Sequence, residues 1–260
     1  MDGGSTDQTV DILKKYNDKI DHWTSEPDKG QTDALNKGFA LADGELFGWL
    51  CADDVLIKGG MEKLVEVFMS EPSADVVTGG CIRDFNNGAF QVPTQPDEKF
   101  YEKLSYMNTI EQPSTFWRKT AHHVAGPLDE SYRYAMDWEF WQRLKSVGCR
   151  FRKINDPISV YYFSDDNLTS TGGTKIADEM YRIVKTYGPY NGRIANVYKF
   201  LYWAFDLRGF YDQETRGKQA YWKKAVFHLV LRILYTIFDH ETVNAYNWNF
   251  ASRQERGLGW

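Results

Sequence analysis

The feature of this sequence that most limits its fold is the alternation of amphipathic helical patterns with short apolar segments over residues 1–82. Apolar residues recur every three or four positions in the helical patterns, and apolar runs lie between them. Such alternation is typical of an α/β protein in which helices flank a mostly parallel sheet. We expect helices at 5–16, 30–44 and 59–72, and strands at 19–26, 45–54, 74–82 and 113–119.

The pattern loosens after residue 90 and becomes helical near the C-terminus. We expect a helix at 137–148 and two strands, CRFRKI and ISVYYF, followed by helical segments from about Ile176 onward. The change falls in the loop at 164–174. We therefore predict an α/β domain over residues 1–170 and a helical C-terminal extension over residues 171–260.

Composition excludes several classes of protein. The net charge of −5 and the absence of a basic stripe argue against a nucleic-acid-binding protein. The three cysteines are widely spaced, so neither a disulfide framework nor a zinc site is indicated, and a reducing compartment fits best. The first residues do not form a signal peptide. These features favour a cytoplasmic location.

Two adjacent carboxylates follow a predicted apolar strand. Asp53 and Asp54 end the segment LFGWLCADD, and ligands of open α/β sheets bind beyond the carboxyl ends of strands. Neighbouring carboxylates repel each other unless a cation or hydrogen-bond donors compensate, and a divalent cation bridged to phosphate oxygens would do so. The alternative is an acidic turn in which Asp54 caps the next segment.

Two polar motifs lie in the first 38 residues. In MDGGSTDQTVDIL, glycines permit unusual backbone angles before a helix N-terminus that attracts anions, and Asp2 is placed to accept hydrogen bonds from a base or ribose. The same Gly-Gly-Ser-Thr run is also an ordinary capped turn. In EPDKGQTDALNKG, Lys29 precedes a helix and could meet a diphosphate or remain a surface lysine. Asn36, a poor helix former, is expected to bond a neighbouring loop.

A further motif, AMDWEFWQRL, places Asp137 at the start of a predicted helix. Met136, Trp138 and Trp141 give this carboxylate partly apolar surroundings, which suit a group that accepts a proton. Glu139 is two residues away and does not share its helix face, so only one of the two carboxylates is expected to face a site. The alternative is an N-cap Asp137, with Glu139 stabilising the first turn.

In this order and at these spacings, the motifs resemble those of the family 2 nucleotide-sugar glycosyltransferases of the GT-A fold. MDGGSTDQTVDIL resembles the acidic Gly-Ser-Thr-Asp turn that follows the second strand of that family. Residues 25–54 are similar to the stretch that ends in its Asp-x-Asp-type metal motif, and AMDWEFWQRL looks like the segment holding its catalytic Asp. The resemblance covers residues 1–165 and leaves the helical tail uncovered.

The resemblance implies an inverting transferase that uses a nucleoside-diphosphate sugar. Asp2 would contact the nucleotide base, Asp53 would face the ribose or sugar, and Asp54 would ligate Mg²⁺ or Mn²⁺ bound to the diphosphate. Asp137 would be the general base that deprotonates the acceptor hydroxyl in a single in-line displacement. A saccharide or lipid-linked acceptor in bacterial cell-envelope polysaccharide synthesis is implied by analogy with the family.

The sequence departs from the family pattern in three ways. Members usually begin with a strand, a helix and a second strand, so we expect a chain truncated before Met1, by a misplaced start or a gene fragment, with unpaired strand edges. The stretch YYFSDDNLTS lacks the His that many members use as an extra metal ligand, and we do not expect Asp165 or Asp166 to replace it. The Gln-x-x-Arg-Trp motif and transmembrane helices of processive synthases are also missing, which favours a non-processive enzyme.

Two alternatives to an active transferase stay open. The first is a catalytically inactive remnant or a binding module of the same fold, suggested by the missing first strand. The second is a nucleotidyltransferase, which would need a Gly-rich, basic loop after the first strand. The Asp137 segment fits this second alternative poorly.

The apolar segment at 223–238 has two interpretations. It begins with Lys223 and Lys224 and carries a wide apolar face, so it could lie on an anionic membrane surface. Alternatively, it packs in the core against residues 196–207. It is too short to span a bilayer. The first interpretation predicts a cytoplasmic protein held at the inner face of the membrane.

Overall fold

The computed structural model describes residues 1–85, 90–91, 99–163, 174–205 and 218–243. The chain divides into two compact units, one formed by Met1–Pro96 with Ile110–Ser164 and the other by Asp97–Thr109 with Asp165–Trp260. The domain boundary predicted near residue 170 stays a prediction, since it lies outside the described residues.

The described elements alternate between helix and strand through the first unit. The helices are α1 (Thr9–Lys15), α2 (Gln31–Leu41), α3 (Gly60–Ser70), α4 (Phe100–Lys103), α5 (Lys119–Ala125), α6 (Met136–Ser146), α7 (Thr174–Tyr187), α8 (Arg193–Phe205) and α9 (Lys218–Leu234). The strands are β1 (Leu46–Phe47), β2 (Asp54–Leu56), β3 (Val76–Asp84), β4 (Phe90–Gln91), β5 (Thr115–Arg118) and β6 (Phe151–Tyr162).

The strands form one sheet in the order β1-β5-β3-β6-β2, with β4 paired to β3. The α/β class is confirmed, but the sheet is mixed rather than mostly parallel: among the described pairs, β3–β6 is parallel and the others are antiparallel. Helix–strand alternation produces parallel pairs only when each helix returns the chain to the same end of the sheet. Here β5 enters the sheet from the opposite end to β3.

Four predicted strands differ from those observed. Residues 19–26 make a single parallel bridge between Asp2 and Ser25 instead of a ladder. The predicted strand at 45–54 is two short strands, and Asp54 begins the second. The predicted strands at 149–154 and 158–163 are one strand, β6. Its register with β3 shifts near Pro157, and this bulge accommodates a residue that lacks an N–H donor.

Helices cover both faces of the sheet because adjacent strand residues point to opposite sides. On one face, Leu46 and Phe116 pack with α3, whose buried residues include Leu64 and Phe68. On the other face, the neighbouring residues of β1 and β5 contact an aromatic cluster. This cluster comprises Phe39, Phe47, Trp49, Trp117, His122, Phe140 and Trp141.

The second unit is helical, as expected for the C-terminal part. Its core includes Ile183, Ile194 and Tyr198, which are fully buried, and the Tyr198 hydroxyl donates to the carbonyl of Thr242 at 2.7 Å. Within this unit, Lys103 of α4 forms an ion pair with Glu241 at 2.8 Å. Within the described residues, every helix is too short or too polar to pass through a lipid bilayer.

Candidate active site

The first residues form a tight loop around the carboxylate of Asp2. Its oxygens accept hydrogen bonds from the amides of Gly4 (3.2 Å) and Ser5 (3.0 Å) and from the hydroxyls of Ser5 (2.5 Å) and Ser25 (2.6 Å). The hydrogen bonds from Ser25 and Ser5 lower the pKa of Asp2 to about 2. Gly4 has φ +85°, and an added Cβ would lie 3.3 Å from the Pro27 nitrogen, so this turn requires glycine.

Lys29 lies in the neighbouring loop, directly before α2. The backbone amide of Lys29 donates to Asp33 at 3.1 Å, and the amide of Gly30 donates to Asp28 at 2.9 Å. The side chain of Lys29 is exposed. Asp2 and Lys29 therefore occupy adjacent loops, because Asp28 packs against the backbone of Gly3.

The second group of candidates lies in the turn between β1 and β2. The amide of Asp54 donates to the carbonyl of Cys51 at 3.1 Å, which closes the turn. The side chains of Cys51, Asp53 and Asp54 each offer one potential metal-ligand atom, and these three atoms lie within 4.8 Å of one another. Asp53 is exposed, whereas Asp54 is buried with 6 % exposure.

Neither carboxylate oxygen of Asp54 accepts a hydrogen bond. Burial, and secondly the charge of Asp53, raise the pKa of Asp54 to about 6, and the adjacent Cys51 offsets only part of this rise. The alternative interpretation of Asp54 as a capping residue is thus wrong, since a cap accepts hydrogen bonds from backbone amides. A buried carboxylate without donors, next to a second carboxylate, fits a bound divalent cation.

Cys51 joins this turn to two other segments. The Gln31 amide, at the start of α2, donates to Cys51 Sγ at 3.1 Å. Sγ lies 3.9 Å from Gln112 Oε1, and Gln112 Nε2 donates to the carbonyl of Trp49 at 2.7 Å. Burial first, then the charges of Asp54 and Asp53, raise the pKa of the Cys51 thiol to about 12. A smaller contribution comes from Asp137, which places that carboxylate within electrostatic reach of the thiol.

Asp137 is the second residue of α6 and is half-buried. The N-cap residue is Ala135, so the interpretation of Asp137 as the cap is wrong. Trp141, one turn later, stacks on Trp49 with ring centroids 5.7 Å apart and planes 10° apart. Residues four apart share a helix face, so this stack holds the Asp137 face of α6 against the segment that leads to Asp53.

Contacts with α2 and with the segment between α5 and α6 also hold α6 in place. Glu139 forms an ion pair with Arg143 at 2.8 Å, and Arg143 also donates to the carbonyls of Ala125 and Pro127. Thr32 of α2 donates to the carbonyl of Tyr132, and its hydroxyl lies 2.9 Å from the Met136 sulfur. Glu139 is therefore engaged in an ion pair within α6, which agrees with the expectation that the two carboxylates do not share a helix face.

Asn36 bonds a neighbouring loop, as predicted. Its side-chain amide donates to the carbonyl of Leu128 at 2.9 Å, and its side-chain oxygen accepts from the amide of Leu128 at 2.8 Å. These two hydrogen bonds connect α2 to the loop before α6. The site assignments of Asp2, Lys29, Asp53, Asp54 and Asp137 stay predictions. Asp53 and Asp54 share one cluster with Cys51, and the Trp49–Trp141 stack links the helix of Asp137 to the segment that leads to this cluster.

Sequence reasoning missed Cys51, Gln31 and Gln112. Gln31 lies in EPDKGQTDALNKG, Cys51 lies in LFGWLCADD, and Gln112 directly precedes the predicted strand at 113–119. The contacts among them join segments up to 61 residues apart. Asp165 and Asp166, which we do not expect to replace the missing histidine ligand, lie outside the described residues.

Comparison with known sequences gives matches to glycosyltransferases. Residues 1–126 match the profile described as Glycosyl transferase family 2. A PGL/p-HBAD biosynthesis glycosyltransferase of Mycobacterium bovis (strain BCG / Pasteur 1173P2) is 30% identical over 148 residues, 54% of this chain and 54% of that protein. An uncharacterised glycosyltransferase of Rickettsia typhi is 26% identical over 57% of this chain and 49% of that protein. The chain thus spans about half the length of these relatives.

Solved structures share the fold at low sequence identity. S. aureus TarS 1-349 in complex with UDP-GlcNAc superposes with a TM-score of 0.56 at 13% identity, covering 97% of this chain and 80% of that chain. The mannosyltransferase PcManGT from Pyrobaculum calidifontis, in complex with GDP-Man and Mn²⁺, gives a TM-score of 0.56 at 15% identity, covering 97% and 76%. These similarities support a GT-A-like fold.

Proposed function

Residues 1–126 belong to glycosyl transferase family 2, and from this premise we propose that the protein transfers a sugar from a nucleoside-diphosphate sugar to an acceptor hydroxyl. The observation that carries the proposal is the buried carboxylate of Asp54, which has no hydrogen-bond donor and lies beside Asp53 and near the helix of Asp137. The related structures with UDP-GlcNAc and with GDP-Man and Mn²⁺ support a donor of this class.

Asp54 and Asp53 are the residues that would hold Mg²⁺ or Mn²⁺. Their carboxylate oxygens suit hard divalent cations, and a positive charge there would stabilise a carboxylate that folding otherwise leaves uncompensated. When bound, such a cation neutralises negative charge on the diphosphate leaving group.

The adjacent loops supply groups for the rest of the donor. Asp2 keeps its negative charge at neutral pH because its pKa is about 2, so it can accept hydrogen bonds from a base or ribose. Lys29 is exposed at the N-terminal end of α2 and offers a cation to a diphosphate. The exposed Asp53 would face the ribose or sugar.

We assign the role of general base to Asp137. It is half-buried in the first turn of α6 and held near the acidic turn by the Trp49–Trp141 stack. As a base on the acceptor side, it would remove the hydroxyl proton during a single displacement, which inverts the anomeric configuration. A non-processive reaction with a saccharide or lipid-linked acceptor is the form that we propose.

Asp137→Asn tests this assignment directly. We expect the variant to lose about 10²–10⁴-fold in turnover, the usual contribution of a positioned base, while it retains donor binding. The measurements are release of nucleoside diphosphate with Mn²⁺ and calorimetric binding of UDP-GlcNAc and GDP-Man. Asp43→Asn, at an exposed position after α2, is the control and should leave both unchanged.

The outcomes of this experiment distinguish the alternatives. Equal turnover in wild type and Asp137→Asn would remove Asp137 from the reaction. Donor binding without turnover in the wild type would support a binding module of the same fold.

We further propose that α9 contacts a membrane surface. Trp222, Val226, Leu229 and Ile233 recur at helical spacing on one face of α9, and all are exposed, Trp222 by 77 %. Phe227 and Leu231 are buried instead, so the helix uses a different face for packing.

The charge of α9 indicates the kind of membrane. The helix contains four Lys or Arg residues and no Asp or Glu, which suits anionic headgroups. The side chains of Lys223 and Lys224 themselves lie outside the described residues.

A further inference from the structure

The turn between β1 and β2 holds a cysteine, Cys51, beside the carboxylates of Asp53 and Asp54. Mg²⁺ prefers oxygen ligands and does not need this sulfur. Cys51 Sγ belongs to the same cluster as the carboxylate oxygens of Asp53 and Asp54, all within 4.8 Å of one another. Asp54 is buried, and neither of its carboxylate oxygens accepts a hydrogen bond. This second observation points to a ligand independently of the clustering itself.

We propose that Cys51 makes this site selective for thiophilic divalent cations. The proposal rests on the proposed function, since it concerns the same metal site. Thiolate sulfur favours Cd²⁺, Zn²⁺ and Co²⁺ over Mg²⁺, whereas two carboxylates alone favour hard cations. A thiophilic cation that contacts all three side chains should therefore bind more tightly than Mg²⁺ does.

One contact of Cys51, the hydrogen bond from the side chain of Gln31, favours a metal-bound thiolate. The Gln31 amide points its N–H at Sγ from 3.1 Å, and a donor in this position stabilises negative charge on sulfur. The Gln31 and Gln112 contacts also keep Sγ at the turn. Cys81 and Cys149 are buried and lie outside the cluster, so neither provides an equivalent site.

The chemical step is a ligand exchange that releases one proton. On binding of a cation, the neutral thiol of Cys51 would give its proton to the buffer, and the thiolate sulfur would replace one water ligand of the cation. No oxidant or reductant is required, and both sulfur and metal keep their oxidation states.

Titration of the full-length protein with Cd²⁺ tests the proposal. We expect an ultraviolet sulfur-to-cadmium charge-transfer band and release of one proton per bound ion in the wild type. Cys51→Ser should lose the band and bind Cd²⁺ at least about tenfold more weakly, since even loss of an outer contact to a metal site costs 10–100-fold. Cys149→Ser is the matched control and should retain the band.

A second measurement uses the unaltered protein. Cd²⁺ should protect Cys51 from alkylation, read by mass spectrometry, whereas Mg²⁺ at equal occupancy should give weaker protection. A wild type that binds Cd²⁺ without the band, or a band that survives in Cys51→Ser, would overturn the proposal.

Binding of Mn²⁺ separates this proposal from the proposed function. Cys51→Ser should bind Mn²⁺ within a few-fold of the wild type, whereas Asp54→Asn should lose it. If Asp54→Asn binds Mn²⁺ normally, the assignment of the transferase metal to Asp54 fails. Loss of the cadmium band in Cys51→Ser would still stand.

Discussion

At the scale of single residues, the buried Asp54 carboxylate has a cost to stability that depends on pH. Its pKa in the folded protein is about 6, above the ordinary value of 3.8. The folded state therefore binds the proton more tightly than the unfolded state does. Stability from this residue is fully present below about pH 4 and is lost as the pH rises through 6.

Asp54→Asn should remove this dependence. In metal-free buffer above pH 6, we expect the variant to be more stable than the wild type by about 1–3 kcal/mol, since a shift of one pKa unit corresponds to about 1.4 kcal/mol. Below pH 4 the two should converge. Denaturant unfolding across this range measures the difference, with the exposed Asp53→Asn as control. Parallel pH profiles for wild type and Asp54→Asn would contradict the buried, uncompensated charge.

The same residues show how far the sequence alone could predict the site. Asp53, Asp54 and Asp137 stand in recognisable motifs, and the loop contact of Asn36 followed from its poor helix propensity. The junction at Cys51 could not be predicted, because Gln31 and Gln112 reach the thiol from segments far away in the chain. Spacing within one motif carries no information about such contacts.

At the scale of elements, α2 connects the loop of Lys29 with the loop before α6. Asn36 holds that loop by exchanging two hydrogen bonds with the backbone of Leu128. Thr32 contacts the same region near Met136. Changes in α2 should therefore affect the placement of α6 without touching a reacting group.

Asn36→Ala should destabilise the protein by about 1–3 kcal/mol, because it leaves polar backbone groups of the buried Leu128 without these partners. Asn36→Asp keeps the acceptor for the Leu128 amide but loses the donor, so an intermediate loss is expected. Denaturant unfolding monitored by far-ultraviolet circular dichroism measures both. An Asn36→Ala variant as stable as the wild type would show that these hydrogen bonds contribute no net stability.

The helices were more predictable than the strands. Each predicted helix is present within a few residues of its expected ends, because its 3.6-residue periodicity is local. Strand pairing is set by distant partners, so the antiparallel entry of β5 and the continuity of β6 past Pro157 could not be deduced from alternation.

At the scale of the whole molecule, the exposed stripe of α9 predicts binding to anionic vesicles. The full-length protein should co-sediment with phosphatidylglycerol-containing vesicles and bind less to neutral phosphatidylcholine vesicles. Leu229→Gln with Ile233→Gln should weaken binding by about tenfold or more, since burying one such side chain contributes about 1.5–3 kcal/mol. His228→Gln is a control on a different face of the helix. Failure of the wild type to bind anionic vesicles would rule out a membrane-surface role for α9.

The parallel indoles of Trp49 and Trp141 have a consequence for spectroscopy. Two such chromophores, stacked 5.7 Å apart with nearly parallel ring planes, interact electronically and quench or shift each other's emission. One is attached to the segment that leads to the acidic turn and the other to the helix of the candidate base. Their shared optical signal is therefore an intrinsic reporter of whether α6 stays against the segment that leads to the acidic turn, readable in solution without any added label.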